Sequence, residues 1–86
     1  MHRYRRKRNL TFMDINYNKK FGQNLRKLRI EAELTQEQLA AKLQVDGCDI
    51  TRSAIAKIEV GQRHIYPDEI KKIHEILGVS YNDMFI

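Results

Sequence analysis

The stretch that decides the fold is LQVDGCDITRSAIAKIEVGQ, residues Leu43–Gln62. Its right half, TRSAIAKIEVG, begins with a residue type that caps helices, continues with three apolar residues on one side, and ends in glycine. Its left half places seven residues, Gln44–Ile50, between two segments with helical patterns. Two closely paired helices are usually joined by only three or four residues. The stretch therefore predicts either a helix pair with an enlarged turn or two ordinary helices of a small bundle.

The segments on both sides of this stretch also show helical patterns. Thr35 with Gln38 forms a capping-box signature that begins a second helix, and Thr51 begins a third. Pro67 suits the first turn of a fourth helix, and Ser80 begins a short fifth. No segment alternates with the two-residue period of a strand. The sequence predicts a compact all-α fold of five helices. Its expected core positions are Phe21, Leu25, Leu28, Ala32, Leu39, Ala40, Leu43, Ala54, Ile55, Ile58, Ile70, Ile73, Ile76 and Leu77.

The chain is short and its charge is uneven. Eighty-six residues suit one domain with a modest core. Five of the first eight residues are basic, whereas residues 9–86 carry 11 basic and 11 acidic residues. We therefore expect residues 1–16 to form a flexible basic arm and residues 17–86 to form the folded domain. The net charge of +5 comes from the arm, so binding of nucleic acid has to be argued from the placement of individual charges.

Several classes of function find no support in the sequence. Cys48 is the only cysteine, so no disulfide can form within the chain, which fits the cytoplasm. His2, His64 and His74 are scattered, and we expect no metal site. No glycine-rich phosphate loop or activated nucleophile is evident, so we expect neither an enzyme nor a cofactor or small-molecule ligand. No apolar run approaches the roughly 20 residues that cross a bilayer.

From residue 20 onward the order of motifs resembles the phage Cro/repressor-type helix-turn-helix family, the XRE family. The resemblance rests on LTQEQLA in the second helix, SAIAKIEVG in the third, and LGVSYNDMF at the end. It implies a five-helix repressor-like domain with a helix-turn-helix at helices two and three. It also implies that the third helix enters the DNA major groove.

The third helix carries the predicted base contacts. A helix that reads DNA needs polar side chains on its first turn and one turn later, opposite its core side. Arginine can bridge guanine O6 and N7, serine can bond either base type, and alanine can admit a thymine methyl. The same side chains could also be merely solvated helix residues. The predicted base contacts are Thr51, Arg52, Ser53, Ala56 and Lys57.

The resemblance also implies contacts outside the third helix. Gln36, at the start of the second helix, corresponds to a residue that meets a phosphate, although it could be an ordinary surface glutamine. Arg29 and Glu59 stand where relatives have an ion pair that holds the third helix against the first. Further candidates for phosphate contact are Arg63, Lys19, Lys20 and Lys27.

The chain departs from the family pattern at two places. Glu33 stands where relatives often have glycine, so the first helix must end without a residue suited to a left-handed cap. The joint between helices two and three carries about five extra residues. We expect Val45 to finish the second helix, Ile50 to pack beneath the motif, and residues 46–49 to bulge outward, away from DNA.

Three functions remain open at this stage. The first is a sequence-specific transcriptional regulator that binds a palindromic operator in double-stranded DNA as a homodimer, through Met84, Phe85 and Ile86. These three residues could equally be core residues. The second is a protein-interaction module of the antirepressor or antitoxin type, in which DNA binding is secondary. The third makes the basic arm the functional part, binding RNA or an anionic membrane.

Overall fold

The computed structural model describes residues 18–85, which form five α-helices and no strand. The prediction of an all-α, five-helix fold is confirmed. Helix α1 occupies residues 18–31, followed by α2 (Gln36–Val45), α3 (Arg52–Glu59), α4 (Pro67–Leu77) and α5 (Tyr81–Met84). The predicted arm, residues 1–16, and Ile86 of the predicted dimer surface lie outside the described residues. No described helix is both long and apolar enough to cross a membrane.

The helices begin at the polar caps that the sequence predicts. The Thr35 hydroxyl accepts a hydrogen bond from the Gln38 N–H at 3.0 Å, and the Gln38 side chain accepts one from the Thr35 N–H at 2.9 Å. This reciprocal pair satisfies two N–H groups that α2 itself cannot bond. Ser80 and Asp83 form the same arrangement at α5. These caps set where α2 and α5 start.

Four helix ends share one geometry, in which the cap residue or the residue directly after it has a positive φ angle. At the end of α2 this residue is Gly47, with φ of 85°; Gly61 and Gly78 follow α3 and α4 in the same way. At the end of α1 it is Glu33, with φ of 61°, the only non-glycine with positive φ among the described residues. The Leu34 N–H then bonds the Arg29 carbonyl at 3.1 Å, which closes a Schellman motif. The first helix therefore ends in a left-handed cap after all, on a residue that strains to adopt it.

The long turn between α2 and α3 consists of the C-terminal cap of α2 followed by a short irregular segment. The Cys48 N–H bonds the Leu43 carbonyl at 2.8 Å and the Gly47 N–H bonds the Gln44 carbonyl at 3.0 Å, which closes a second Schellman motif. The Gln44 side chain then donates to the Ile50 carbonyl at 2.8 Å. The turn is therefore ordered by hydrogen bonds that α2 supplies.

The expectation that residues 46–49 all bulge outward is wrong at Cys48. Its side chain is buried and belongs to the core, while its backbone N–H is held by the end of α2. Asp46, Gly47 and Asp49 are exposed, and Ile50 is buried beneath the motif as expected. Burial, with the nearby charges of Glu69 and Asp68, raises the pKa of the Cys48 thiol.

The core draws buried side chains from all five helices, and one glycine governs how closely α1 approaches α3. A Cβ added to Gly22 would lie 2.2 Å from the Ile58 carbonyl oxygen and 2.6 Å from the Glu59 carbonyl oxygen. Only a residue without a Cβ allows this approach. The buried apolar residues are Phe21, Leu25, Leu39, Ala40, Leu43, Cys48, Ile50, Ile55, Ile58, Ile73, Leu77 and Met84. The predicted core residues Leu28, Ala32, Ala54, Ile70 and Ile76 are partly buried against them.

Candidate nucleic-acid interface

Helix α3 presents a polar face on its first two turns. The Thr51 hydroxyl caps the helix by accepting from the Ala54 N–H at 3.1 Å. Ile55, Ile58 and Glu59 are buried, so the opposite side of the helix faces outward. Of the predicted base contacts, Thr51, Arg52, Ser53 and Lys57 are exposed and Ala56 is half-exposed. All five are therefore accessible from one side of the molecule.

A buried ion pair holds this helix against α1. The Arg29 Nε lies 2.6 Å from Glu59 Oε2, and Nη2 lies 3.0 Å from Glu59 Oε1. The third donor of the guanidinium, Nη1, bonds the Leu34 carbonyl at 2.7 Å. The side chains are only 9% and 1% exposed, so water does not screen this pair. The two-pronged geometry fixes the orientation of α3 as well as its distance from α1.

Gln36 joins α2 to the same pair. Its Nε2 donates to Glu59 Oε1 at 3.0 Å, so Glu59 accepts from both α1 and α2. We call Arg29, Gln36 and Glu59 the brace. Because one amide hydrogen of Gln36 is used in the brace, its other hydrogen and its carbonyl oxygen are left for a ligand. The brace thus fixes Gln36, the predicted phosphate contact, relative to α3.

The other predicted phosphate contacts differ in whether their positive charges are paired within the protein. Lys19, Lys20 and Lys27 are exposed on α1. Arg63 instead donates to both carboxylate oxygens of Glu69, each at 3.0 Å, and its guanidinium lies 5.5 Å from the centre of the Tyr66 ring. The positive charge of Arg63 is therefore largely matched within the protein.

The Arg63–Glu69 pair perturbs both groups. Burial alone disfavours the charged form of Glu69, but hydrogen bonds from Arg63 and the Tyr66 N–H outweigh this and lower the pKa of its carboxyl below the usual value. The same hydrogen bond raises the pKa of the Arg63 guanidinium further. Glu69 also caps the first turn of α4 by accepting from the Tyr66 N–H at 3.0 Å. The pair therefore fastens the loop after α3 to the start of α4.

A polar depression adjoins α3. It has a volume of about 540 Å³ and lies between the second half of α1 and the first turns of α2 and α3. Its lining includes Arg26, which was not among the sequence candidates. Three basic residues follow one another closely in α1, at positions 26, 27 and 29, and spacing alone does not tell which of them faces α2. The residues that line the depression are Arg26, Arg29, Leu34, Thr35, Gln36, Glu37 and Arg52.

Of the residues predicted to form the dimer surface, one is buried in the core and one is exposed. Met84 is 1% exposed and belongs to the core, where the Asn24 side chain donates to its carbonyl at 2.9 Å. Phe85 is 44% exposed, and its ring centre lies 5.2 Å from that of Phe21. Of the two, only Phe85 offers its side chain to a partner. Among the described residues, no three His, Cys, Asp or Glu side chains cluster as a metal site.

Comparisons with known proteins identify the family of this chain. A family profile described as helix-turn-helix matches residues 25–84. The chain is 38% identical over 65 residues to the control protein C.BamHI of Bacillus amyloliquefaciens, covering 74% of each chain. It is 34% identical over 67 residues to the control protein C.MunI of a Mycoplasma species, covering 77% of this chain and 84% of that one.

A solved structure shares the fold. The crystal structure of the restriction-modification controller protein C.AhdI from Aeromonas hydrophila superposes with a TM-score of 0.73 at 32% sequence identity. The match covers 83% of this chain and 96% of that one. The similarity therefore extends over nearly the whole of that protein, including both helices of the motif.

Proposed function

Because the chain belongs to the helix-turn-helix family of DNA-binding transcriptional regulators, we propose that it binds a palindromic operator as a homodimer and controls a restriction-modification system. The regulated system follows from the relatives, two of which are named control proteins and one a restriction-modification controller protein. Those relatives come from bacteria, so the proposed site of action is the cytoplasm, where bacterial DNA lies. The proposed role requires no catalysis, cofactor or small-molecule ligand.

The observation that carries this proposal is the outward polar face of α3, held in place by the brace. Arg52 and Ser53 on the first turn and Lys57 one turn later are exposed, while Ile55 and Ile58 anchor the other side. An arginine on the first turn can make two hydrogen bonds to guanine in the major groove. Thr51 and Ala56 complete the proposed base-reading surface.

The proposed phosphate contacts surround this face. Gln36 lies beside the recognition helix in the brace, and phosphate contacts of this kind set the position of a protein on the duplex without reading sequence. Lys19, Lys20 and Lys27 add positive charge along α1. Arg63 is the weakest of the proposed contacts, since Glu69 already matches its charge.

The homodimer supplies the selectivity that one domain lacks. Three or four base-reading side chains discriminate too few positions, whereas two recognition helices across a twofold axis read half-sites about one helical turn apart. Phe85, next to the end of the described chain, is the exposed apolar residue that we assign to the dimer surface. We expect Phe85→Glu to shift the protein toward monomer in sedimentation equilibrium and to weaken operator binding without changing the consensus.

Selection from random DNA tests the proposed function directly. The full chain is expected to enrich a palindromic consensus at moderate salt. Arg52→Ala should relax the preference at one base position in each half-site, at about 1–3 kcal/mol. Lys71→Ala, which removes an exposed charge from α4, is the control and should keep the consensus. If no consensus emerges, the proposed function is wrong, and the protein-interaction alternative is favoured.

A further inference from the structure

The depression beside α3 brings together cations from two helices that are distant in sequence. Arg26 lines it from α1, and Arg52 lines it from the first turn of α3. Its volume of about 540 Å³ is many times the roughly 30 Å³ that a water molecule occupies. It is open to solvent, and the exposed Arg52 of α3 lies in its lining. A group larger than an ion can therefore enter it next to the first turn of α3.

The charges in the depression are unequally matched. Arg29 also lines it, but Glu59 neutralises that guanidinium with two hydrogen bonds. Within residues 18–85 neither Arg26 nor Arg52 makes an ion pair or side-chain hydrogen bond, and both are exposed. Glu37 is the one acidic side chain in the lining. Two free guanidinium groups thus face a single carboxylate, and the depression attracts anions.

We propose that Arg26 binds a DNA backbone phosphate in this depression, next to the base pair that Arg52 reads. This inference rests on the proposed function, because the phosphate belongs to the operator. Arginine suits the task, since its planar fork can donate two parallel hydrogen bonds to phosphate oxygens. A phosphate held there accepts hydrogen bonds from Arg26 and leaves the Arg52 guanidinium for the base edge. Arg26 thereby sets the register in which Arg52 meets a base edge.

Salt dependence distinguishes a phosphate contact from a base contact. Each neutralised phosphate contributes about 0.9 to the slope of log K against log salt. Arg26→Ala is expected to weaken binding of the selected operator about tenfold at moderate salt. It should also reduce the slope by about 0.9 per half-site, or about 1.8 for a dimer on both half-sites. The consensus selected from random DNA should stay the same. Arg26→Lys should keep most of the slope, because it keeps the charge.

Two further variants serve as controls: one removes a positive charge outside the depression, and the other removes the negative charge inside it. Lys71→Ala removes one exposed charge from α4, outside the depression, and should leave the slope close to that of the wild-type protein. Glu37→Gln removes the carboxylate from the lining and should tighten binding a few-fold. Since Arg26 and Glu37 are exposed, circular dichroism and thermal unfolding should be unchanged in both variants.

A scan of the operator with single methylphosphonate linkages, each of which removes one backbone charge, identifies the phosphate. At one position per half-site, the neutral linkage should weaken binding by the wild-type protein but have no further effect on Arg26→Ala. An Arg26→Ala protein with the wild-type slope, or the absence of any such coupled position, overturns this inference while the operator still binds. A wild-type protein that selects no consensus instead rejects the proposed function itself.

Discussion

Removing one partner of the brace should destabilise the protein far more than removing two of them. In Glu59→Leu the Arg29 guanidinium stays in a site where its side chain is 9% exposed, without the carboxylate that accepts two of its hydrogen bonds. An uncompensated buried charge of this kind costs about 3–5 kcal/mol. A folded domain of roughly 70 residues is stable by about 4–10 kcal/mol. The single substitution should therefore remove about half of the free energy of unfolding.

The double variant Arg29→Met, Glu59→Leu removes both charges and fills the same space with apolar groups. Such replacements of buried ion pairs are often neutral or stabilising. Here the Leu34 carbonyl and the Gln36 side chain lose a partner, but both residues are half-exposed and can bond water. We expect the double variant to lie within about 2 kcal/mol of the wild-type protein.

Urea unfolding followed by circular dichroism at the helical band measures these free energies. The chain contains no tryptophan, so fluorescence is a weaker probe. All three proteins should unfold with the same slope against urea, and only the midpoint should change. Operator affinity distinguishes the contribution of the brace to stability from its role in positioning Gln36 and α3. The double variant should be folded but bind the selected operator more weakly, because Gln36 and α3 are no longer held together.

Two results would refute this reasoning. A loss below about 1 kcal/mol in Glu59→Leu would place the pair in the class of screened surface pairs. A double variant no more stable than the single one would mean that packing around the pair matters more than its charges.

The remaining predictions concern a helix cap, a helix contact and pH. Glu33→Gly should relieve the left-handed strain and raise the free energy of unfolding by about 1 kcal/mol, hence the melting temperature by about 4–8 °C. Glu31→Gly, at the last residue of α1, has no such strain to relieve and should lower the free energy of unfolding slightly. Gly22→Ala should destabilise by about 1–3 kcal/mol in urea unfolding, because its Cβ would collide with the end of α3. Glu69, whose pKa is lowered in the folded protein, stabilises it above the ordinary glutamate pKa of about 4.5. Its contribution to the free energy of unfolding should fade as acid protonates the Glu69 carboxylate. Acid titrations of Glu69→Gln and Arg63→Gln should lack this loss of stability.

The helices and their polar starts were predictable because they depend on local chemistry. Thr35, Thr51 and Ser80 each bond an N–H group three residues ahead, and that spacing can be read directly from the sequence. The apolar spacing of α1 and α4 likewise identified their buried sides. The placement of the five base-contact candidates on one exposed face followed from the same periodicity.

Features that depend on contacts between distant segments were not predictable in this way. Arg63 was interpreted as a phosphate contact, but its pairing with Glu69 depends on the path of the loop between them, which sequence spacing does not indicate. No role was predicted for Gly22, because its importance depends on the carbonyl groups of α3 that lie against it. Arg26 was missed for a related reason: the depression that it lines is built from three helices. The inward turn of Cys48 depends on the Schellman motif, which spacing alone did not indicate.

The ordered turn before the recognition helix also provides a place for a chemical reporter. Asp49 is exposed beside the first residues of α3, between two caps that do not use its side chain. A thiol introduced as Asp49→Cys would react with a maleimide dye, whereas the neighbouring Cys48 is buried and has a raised pKa. The native cysteine could therefore stay in place during labelling. A fluorophore at this position would test whether the turn points away from bound DNA, without labelling the operator.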